Sequence, residues 1–273
     1  MIFARDKSQM CNNLLQFAHV YAWAREHGRS VMSMRFSYKY PYFNICRTKY
    51  VSFPLYLFAK YMAALRILPT VSFKHAECDS ATMEKKMLRY RHVVVSGWYV
   101  RYYDLFLKYR HEICDLFTID PKYTIPIRDK MSRCSGEVKL GVHIRRGDYA
   151  TWGNGRYYYN NEKYADFIKM FASLMPDKRI DVFLSTNDST VDAGLFSSLL
   201  SDSRIHIHLF KGNAVEDLYM LSACDYIIGP PSTYSLVAAM YRDVPLCRMD
   251  MVKKTELNLS DFRYFDYWFR RIV

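Results

Sequence analysis

From Val138 onward, short apolar runs alternate with amphipathic stretches, and this rhythm restricts the fold more than any other feature of the chain. Val138–Ile144, Asp181–Leu184, Arg204–Leu209, Tyr226–Ile228 and Val244–Arg248 read as strands. Between them, Tyr164, Phe167, Ile168, Phe171 and Leu174 mark one helical face, and Val191–Leu200, Val215–Ala223 and Leu236–Tyr241 read as further helices. Short apolar strands, each followed by a helix, predict a parallel sheet covered on both faces. In such sheets ligands bind beyond the carboxyl ends of the strands.

The front half opens with a weaker version of the same pattern. Met1–Ala4 and Val31–Met34 read as strands. Leu14, Phe17, Ala18, Tyr21 and Ala22 fall on one helical face between them, with Asn12 or Asn13 able to cap and Gly28 able to stop the helix. Residues 35–90 are less regular, with a helix expected around Leu55–Ile67. His92–Ser96 reads as a buried strand and Tyr102–Phe117 as a helix. Residues 119–137 hold two prolines, a glycine and several charges, and are the expected linker. The expected architecture is therefore α/β, with two Rossmann-like domains facing across a cleft, residues 1–130 and 131–273. The last helix is free in this reading to pack back on the first domain.

Composition narrows the partners. No apolar run reaches the ~18 residues of a membrane span, and the opening M-I-F-A-R-D-K-S-Q-M lacks the apolar core of a secretion signal. A cytoplasmic location is expected, with peripheral association at the inner membrane face as an extension. Seven cysteines without a C-x-x-C pair point to reduced thiols, not to a zinc site or disulfide framework. A net charge of +12 fits nucleic acid, a membrane surface or a phosphate-bearing small molecule. No RNA- or DNA-binding motif is present. The tail L-N-L-S-D-F-R-Y-F-D-Y-W-F-R-R-I-V mixes aromatics with arginines, as interfacial segments do, and equally suits a docked terminal helix.

The chemistry-bearing residues fall at strand ends. His143-Ile144-Arg145-Arg146-Gly147-Asp148 closes the first strand of the back half. Two arginines there suit a diphosphate, whose oxygens a guanidinium grips bidentately, or else form a surface Arg–Asp pair. Ser185-Thr186-Asn187-Asp188 closes the next strand and either meets a ligand or caps a helix. Asp217 opens a helix, where it can complement the dipole or accept hydrogen bonds from a base such as guanine. Gly229-Pro230-Pro231-Ser232-Thr233 turns from strand into helix, an anion site or a capping motif.

Together these segments resemble the H-x-R-R-x-D fucosyltransferase superfamily, and the bacterial-type α-1,2-fucosyltransferases (glycosyltransferase family 11) most. H-I-R-R-G-D carries the motif, supported by V-F-L-S-T-N-D and E-D-L-Y-M-L-S-A-C-D-Y-I-I-G-P-P-S-T-Y-S-L-V-A-A-M. The front half is similar through Cys11-Asn12-Asn13-Leu14-Leu15-Gln16-Phe17-Ala18 and Ser96-Gly97-Trp98-Tyr99. Where the family opens with G-G-x-G-N-Q, residues 7–13 here hold no glycine. The resemblance implies a GT-B fold, GDP-fucose as donor substrate, inversion, and neither metal nor cofactor. It also implies a glycan acceptor, galactose O2 in the family's main activity. Joined to the basic, aromatic composition, this gives a mixed expectation of an enzyme at the inner membrane face acting on a lipid-linked glycan during surface polysaccharide synthesis. Carried over by position, Arg145 grips the β-phosphate, His143 and Asp217 contact the guanosine end, Ser232 and Thr233 hold phosphate oxygens, and Asn13 approaches the donor. Arg146, Asp148 and Asp188 join the donor set or brace it. Asp148, Asp188 and Glu162 all stand as candidates for a general base. Two other readings stay open: a GT-B transferase with another nucleotide sugar, and a non-enzymatic basic protein that binds membranes or nucleic acid.

Overall fold

The computed structural model describes residues 1–5, 8–76, 78–251 and 256–271, which fall into two compact units. The first comprises residues 1–120 together with Arg270 and Arg271 of the described residues. Its strands are β1 (Ile2–Arg5), β2 (Val31–Ser33), β3 (Thr70–Ser72) and β4 (Val93–Ser96), and its helices are α1 (Met10–Glu26), α2 (Phe36–Lys39), α3 (Phe53–Ala64), α4 (Ser80–Arg89), α5 (Tyr103–Lys108) and α6 (Arg110–Leu116). The sheet is parallel, in the order β2-β1-β4-β3. Phe3 lies between Met32 and Val94 in register, so the three side chains share a face and a core with Met34, Ala59 and Leu68. The expected stripe of α1 is buried, and so is its other side, because α5 packs there. His19 on that side accepts the Tyr102 N–H at 3.1 Å.

Two local expectations need correction. Neither asparagine caps α1, whose N-cap is Gln9. Both amides donate backwards instead, Asn12 to the Ser8 hydroxyl at 2.8 Å and Asn13 to the Ser8 carbonyl at 3.0 Å. The helix expected over Tyr102–Phe117 breaks into α5 and α6 at Tyr109, whose φ/ψ of −102°/16° is not helical. β3 and α4 escape sequence reading because β3 has three residues and α4 buries only Met87, which leaves no apolar period to find.

Ser8 explains how the chain manages without the glycines of the resembling family. Its φ of 128° is one that non-glycine residues seldom adopt. Asn12, Asn13 and the Lys39 ammonium (2.9 Å) hold it there. Such a residue carries about 1–3 kcal/mol of strain, against roughly 0.5–1 kcal/mol of extra chain entropy for glycine. Ser8→Gly is therefore expected to stabilise the protein by about 1 kcal/mol. A melting temperature below that of the parent would show that the Ser8 hydroxyl outweighs the strain.

The second unit spans Pro121–Phe269. Its strands are β5 (Val138–Ile144), β6 (Ile180–Thr186), β7 (Ile205–His208), β8 (Tyr226–Gly229) and β9 (Leu246–Arg248). Its helices are α7 (Pro121–Met131), α8 (Asn161–Leu174), α9 (Ala193–Leu200), α10 (Ala214–Ser222), α11 (Thr233–Arg242) and α12 (Phe265–Phe269). All strand pairs are parallel, in the order β7-β6-β5-β8-β9. The chain moves from β5 to one side through β6 and β7, then returns to the other side as β8. That reversal places a topological switch point between β5 and β8, where such sheets open a crevice for ligands.

The expected linker is mostly a helix. Pro121 sits at the first position of α7, where its missing N–H costs nothing. Pro126 faces solvent, where water can take the carbonyl it frees. Ile127 and Met131 are buried against Phe183, Met220 and Cys224. The division between units thus falls at Asp120, and α7 belongs with the second unit. The tail is corrected too: α12 packs on α11 of the second unit, with Phe265, Trp268 and Phe269 buried and the Trp268 indole donating to the Leu246 carbonyl at 2.7 Å. Leu259, Tyr264 and Tyr267 are the exposed large apolar residues among its described residues.

Candidate active site

The side chains singled out in the second unit converge on the carboxyl ends of β5, β6 and β8. His143 is the penultimate residue of β5 and pairs in register with Ser185 of β6. On its other side is Gly229, the last residue of β8. A Cβ on Gly229 would lie 3.1 Å from the His143 Cβ, so glycine lets the two strand ends close around the imidazole. The His143 ring packs on Tyr234 at 4.9 Å, and the Tyr234 hydroxyl donates to the Ala214 carbonyl at 2.6 Å. Tyr234 thereby ties the starts of α10 and α11 together beside the histidine.

Asp217, in the first turn of α10, receives the Ser185 hydroxyl on Oδ2 at 3.1 Å. Its Oδ1 is buried without a hydrogen-bond partner, and so is Nδ1 of His143. A buried polar atom left unpaired costs about 1–3 kcal/mol, and these two are linked through Ser185, which bonds Asp217 and pairs in register with His143. Burial pushes the His143 pKa down to about 3, with Arg145 adding to the effect, so the ring is neutral. Burial likewise pushes the Asp217 carboxyl up to about 7; Glu216 adds to the rise and the Ser185 hydrogen bond opposes it.

The two arginines point to different fates. The Arg145 guanidinium lies against Asp148, with 2.9 Å to each carboxylate oxygen, and over the Tyr149 ring at 5.6 Å. Its side chain is 18% exposed and that of Asp148 53%. The Tyr149 hydroxyl donates to the Pro231 carbonyl at 2.5 Å, which holds the arginine loop to the turn that starts α11. There Ser232 is the N-cap, its hydroxyl accepting the Tyr234 N–H at 3.2 Å, and Thr233 is the first helical residue. Arg145 and a helix N-terminus thus share one neighbourhood, the arrangement that favours phosphate oxygens.

Arg146 faces inward. Its side chain is 8% exposed and reaches Asp188 at 3.0 Å, Asn161, and the Tyr159 carbonyl at 3.4 Å. Asp188 spends its other oxygen on the Thr190 N–H and hydroxyl. These bonds, Thr190's before Arg146's, hold the Asp188 carboxyl below the usual range. Asn187 clasps the Arg146 backbone at 3.0 and 3.3 Å. Arg146 and Asp188 are thus paired with each other. Asp188 does not cap α9 either, which starts from Asp192. Glu162 is exposed on the first turn of α8. Asn13 lies in the first unit, buried, and lines a small recess with Arg5, Gln16 and Ser33. Tyr149 and Tyr234 frame the site without standing out in the sequence, while Ser185 and Gly229 lie in the strand-end segments, where the strand register gives them their places beside His143.

No family model and no curated protein matches the sequence. Solved structures match the fold. A point mutant of Arabidopsis thaliana FUT1 in complex with GDP superposes with a TM-score of 0.63 at 13% identity, over 96% of this chain and 73% of that one. POFUT1 in complex with GDP-fucose gives 0.60 at 13% identity, over 89% and 94%. The α-1,6-fucosyltransferase NodZ soaked with GDP-fucose gives 0.55 at 14% identity, over 96% of each chain. The likeness is one of fold: the chain shares their GT-B class, with two α/β units built on parallel sheets.

Proposed function

We propose that the chain is an inverting glycosyltransferase that moves fucose from GDP-fucose to a hydroxyl of a glycan, with galactose O2 as the acceptor atom. The observation that carries the reading is the pair of unpartnered buried atoms, Nδ1 of His143 and Oδ1 of Asp217, at the switch point whose rim holds Arg145 and the start of α11. Solved structures of the same fold hold GDP or GDP-fucose, which supports the choice of donor. In this reading Asp217 accepts the guanine N–H donors and His143 contacts the guanosine end. Arg145, Ser232 and Thr233 bind the phosphates. The bond from fucose C1 to the β-phosphate oxygen breaks, and its electron pair leaves with GDP. The acceptor oxygen attacks C1 from the opposite face and its proton passes to a base. Arg145 neutralises the charge that grows on the departing phosphate, in place of a metal. Arg146 and Asp188 position the loop without touching the donor. The acceptor glycan is proposed to be lipid-linked, in surface polysaccharide synthesis.

Calorimetric titration tests the donor. GDP is expected to bind and UDP not. An ionised Asp217 accepts the guanine donors, and its carboxyl sits near 7 in the free protein. GDP affinity should therefore rise up to about tenfold per unit as the pH is raised to 7, then level off. Asp217→Asn should bind GDP weakly and lose this part of the pH dependence. Equal binding of UDP, or a folded protein that binds neither nucleotide, would overturn the reading.

A further inference from the structure

Helix α3 is apolar on both sides but buried on only one. Its inner side puts Ala59 into the first unit's core, with Tyr56, Met62 and Ala63 packed around it. Its outer side carries Leu55, Phe58, Tyr61 and Leu65 at helical spacing, and Phe58 is 54% and Leu65 64% exposed. Ile67, just beyond the helix, is 68% exposed. At the other end Phe53 and Tyr38 meet edge to face at 5.3 Å, and both are exposed. The apolar surface therefore runs along the whole helix and past both ends. A helix that is apolar all round belongs in an apolar medium, and a contiguous exposed patch of this kind marks an interaction surface.

Charge identifies what covers it. The 50 residues between Glu26 and Glu77 contain eight lysines and arginines and no acid. Lys60, the only charge on α3, lies over the Tyr61 ring at 5.5 Å, and exposed Arg66 follows the helix. Aromatic rings with basic side chains beside them suit the headgroup boundary of an anionic bilayer. A second copy of the chain would bring the same positive stretch against this one and be repelled. No described helix is long and apolar enough to cross a membrane.

We infer that the outer face of α3, from Phe53 to Ile67, docks the protein on an anionic lipid surface. Leu55, Phe58, Tyr61, Leu65 and Ile67 enter the boundary region, and Lys60 and Arg66 meet lipid phosphates. This surface is built on residues other than the tail that sequence reading offered as interfacial. It uses no part of the donor assignment, so loss of vesicle binding and loss of GDP binding are separable results.

The test is co-sedimentation with vesicles of phosphatidylcholine alone or mixed with phosphatidylglycerol. Binding to the mixed vesicles is expected to exceed that to the neutral ones about tenfold or more at low salt and to weaken as salt is added. The variant Phe58→Asp with Leu65→Asp should lose about tenfold or more of that binding, and keep the parent's melting temperature and GDP affinity. Both side chains are more than half exposed, so the fold tolerates the change. Lys60→Glu with Arg66→Glu should abolish the preference for phosphatidylglycerol. Absence of the wild-type protein from mixed-vesicle pellets overturns the inference. So does binding unaltered in the Phe58/Leu65 variant, or a sedimentation-velocity dimer that the variant dissolves.

Discussion

Arg145→Ala is expected to lower kcat/KM for GDP-fucose by about a hundred- to a thousandfold, the usual loss when one group that stabilises a departing anion is removed. The expectation rests on what Arg145 does in the free protein. Its side chain is 18% exposed and that of its partner Asp148 53%. A pair this accessible contributes about 0–1 kcal/mol to folding, so the variant should melt close to the parent. In the proposed reading a phosphate displaces Asp148 from Arg145, since a diphosphate offers more charge and more oxygens to the same fork. Arg145→Lys keeps the charge but loses the planar fork, and should recover only part of the rate. GDP release from GDP-fucose with a galactoside acceptor gives the rates, and calorimetry gives the GDP affinity. An Arg145→Ala protein that turns over like the parent would remove this arginine from the reaction.

The legible parts of the chain were those where one residue pattern has one physical outcome. Five short strands alternating with four helices from Val138 onward point to a parallel sheet, and β5, β6 and β8 carry the candidate site because carboxyl ends gather at a switch point. The identity of the strand-end residues was visible for the same reason. Their partners were not. Nothing local says that Arg146 turns inward to Asp188 while Arg145 turns to Asp148, because that choice depends on Asn161, Tyr159 and Asn187, two of them from a separate loop and helix. Capping residues were ambiguous in both directions. Ser232 does cap α11, whereas Asn12 and Asn13, good caps by type, donate back to Ser8. The exposed side of α3 was illegible because its apolar residues are the same kind that fill cores. Only the neighbours of Ala59 show which side is covered. α7 was hidden by its prolines, one harmless at the helix start and one facing solvent.

Arg146→Ala, one residue further on, is expected to act on the fold instead. Its side chain is 8% exposed, and Asp188, its charge partner, is 17% exposed. Deleting it strands the Asp188 charge and leaves the Asn161 amide oxygen and the Tyr159 carbonyl without this donor. Leaving these groups without their donor costs about 1–3 kcal/mol, a sizeable part of the roughly 5–15 kcal/mol that holds a domain. Arg146→Lys should recover little, since one ammonium cannot serve three acceptors spread over the guanidinium's edges. Arg146→Ala with Asp188→Asn should be less destabilised than the sum of the single variants, because the stranded charge is gone. The sign with pH follows from Asp188. Its carboxyl is held below the ordinary value, so its contribution is present above the unfolded-state pKa and is lost as the pH falls through the folded one. In Arg146→Ala that acid-side loss should shrink, leaving only the share from the Thr190 bonds. Urea unfolding at neutral and acid pH measures both effects. If Arg146→Ala unfolds like the parent but no longer binds GDP, Arg146 faces the donor. The division of labour between the two adjacent arginines, one for the phosphate and one for the loop, would then be withdrawn.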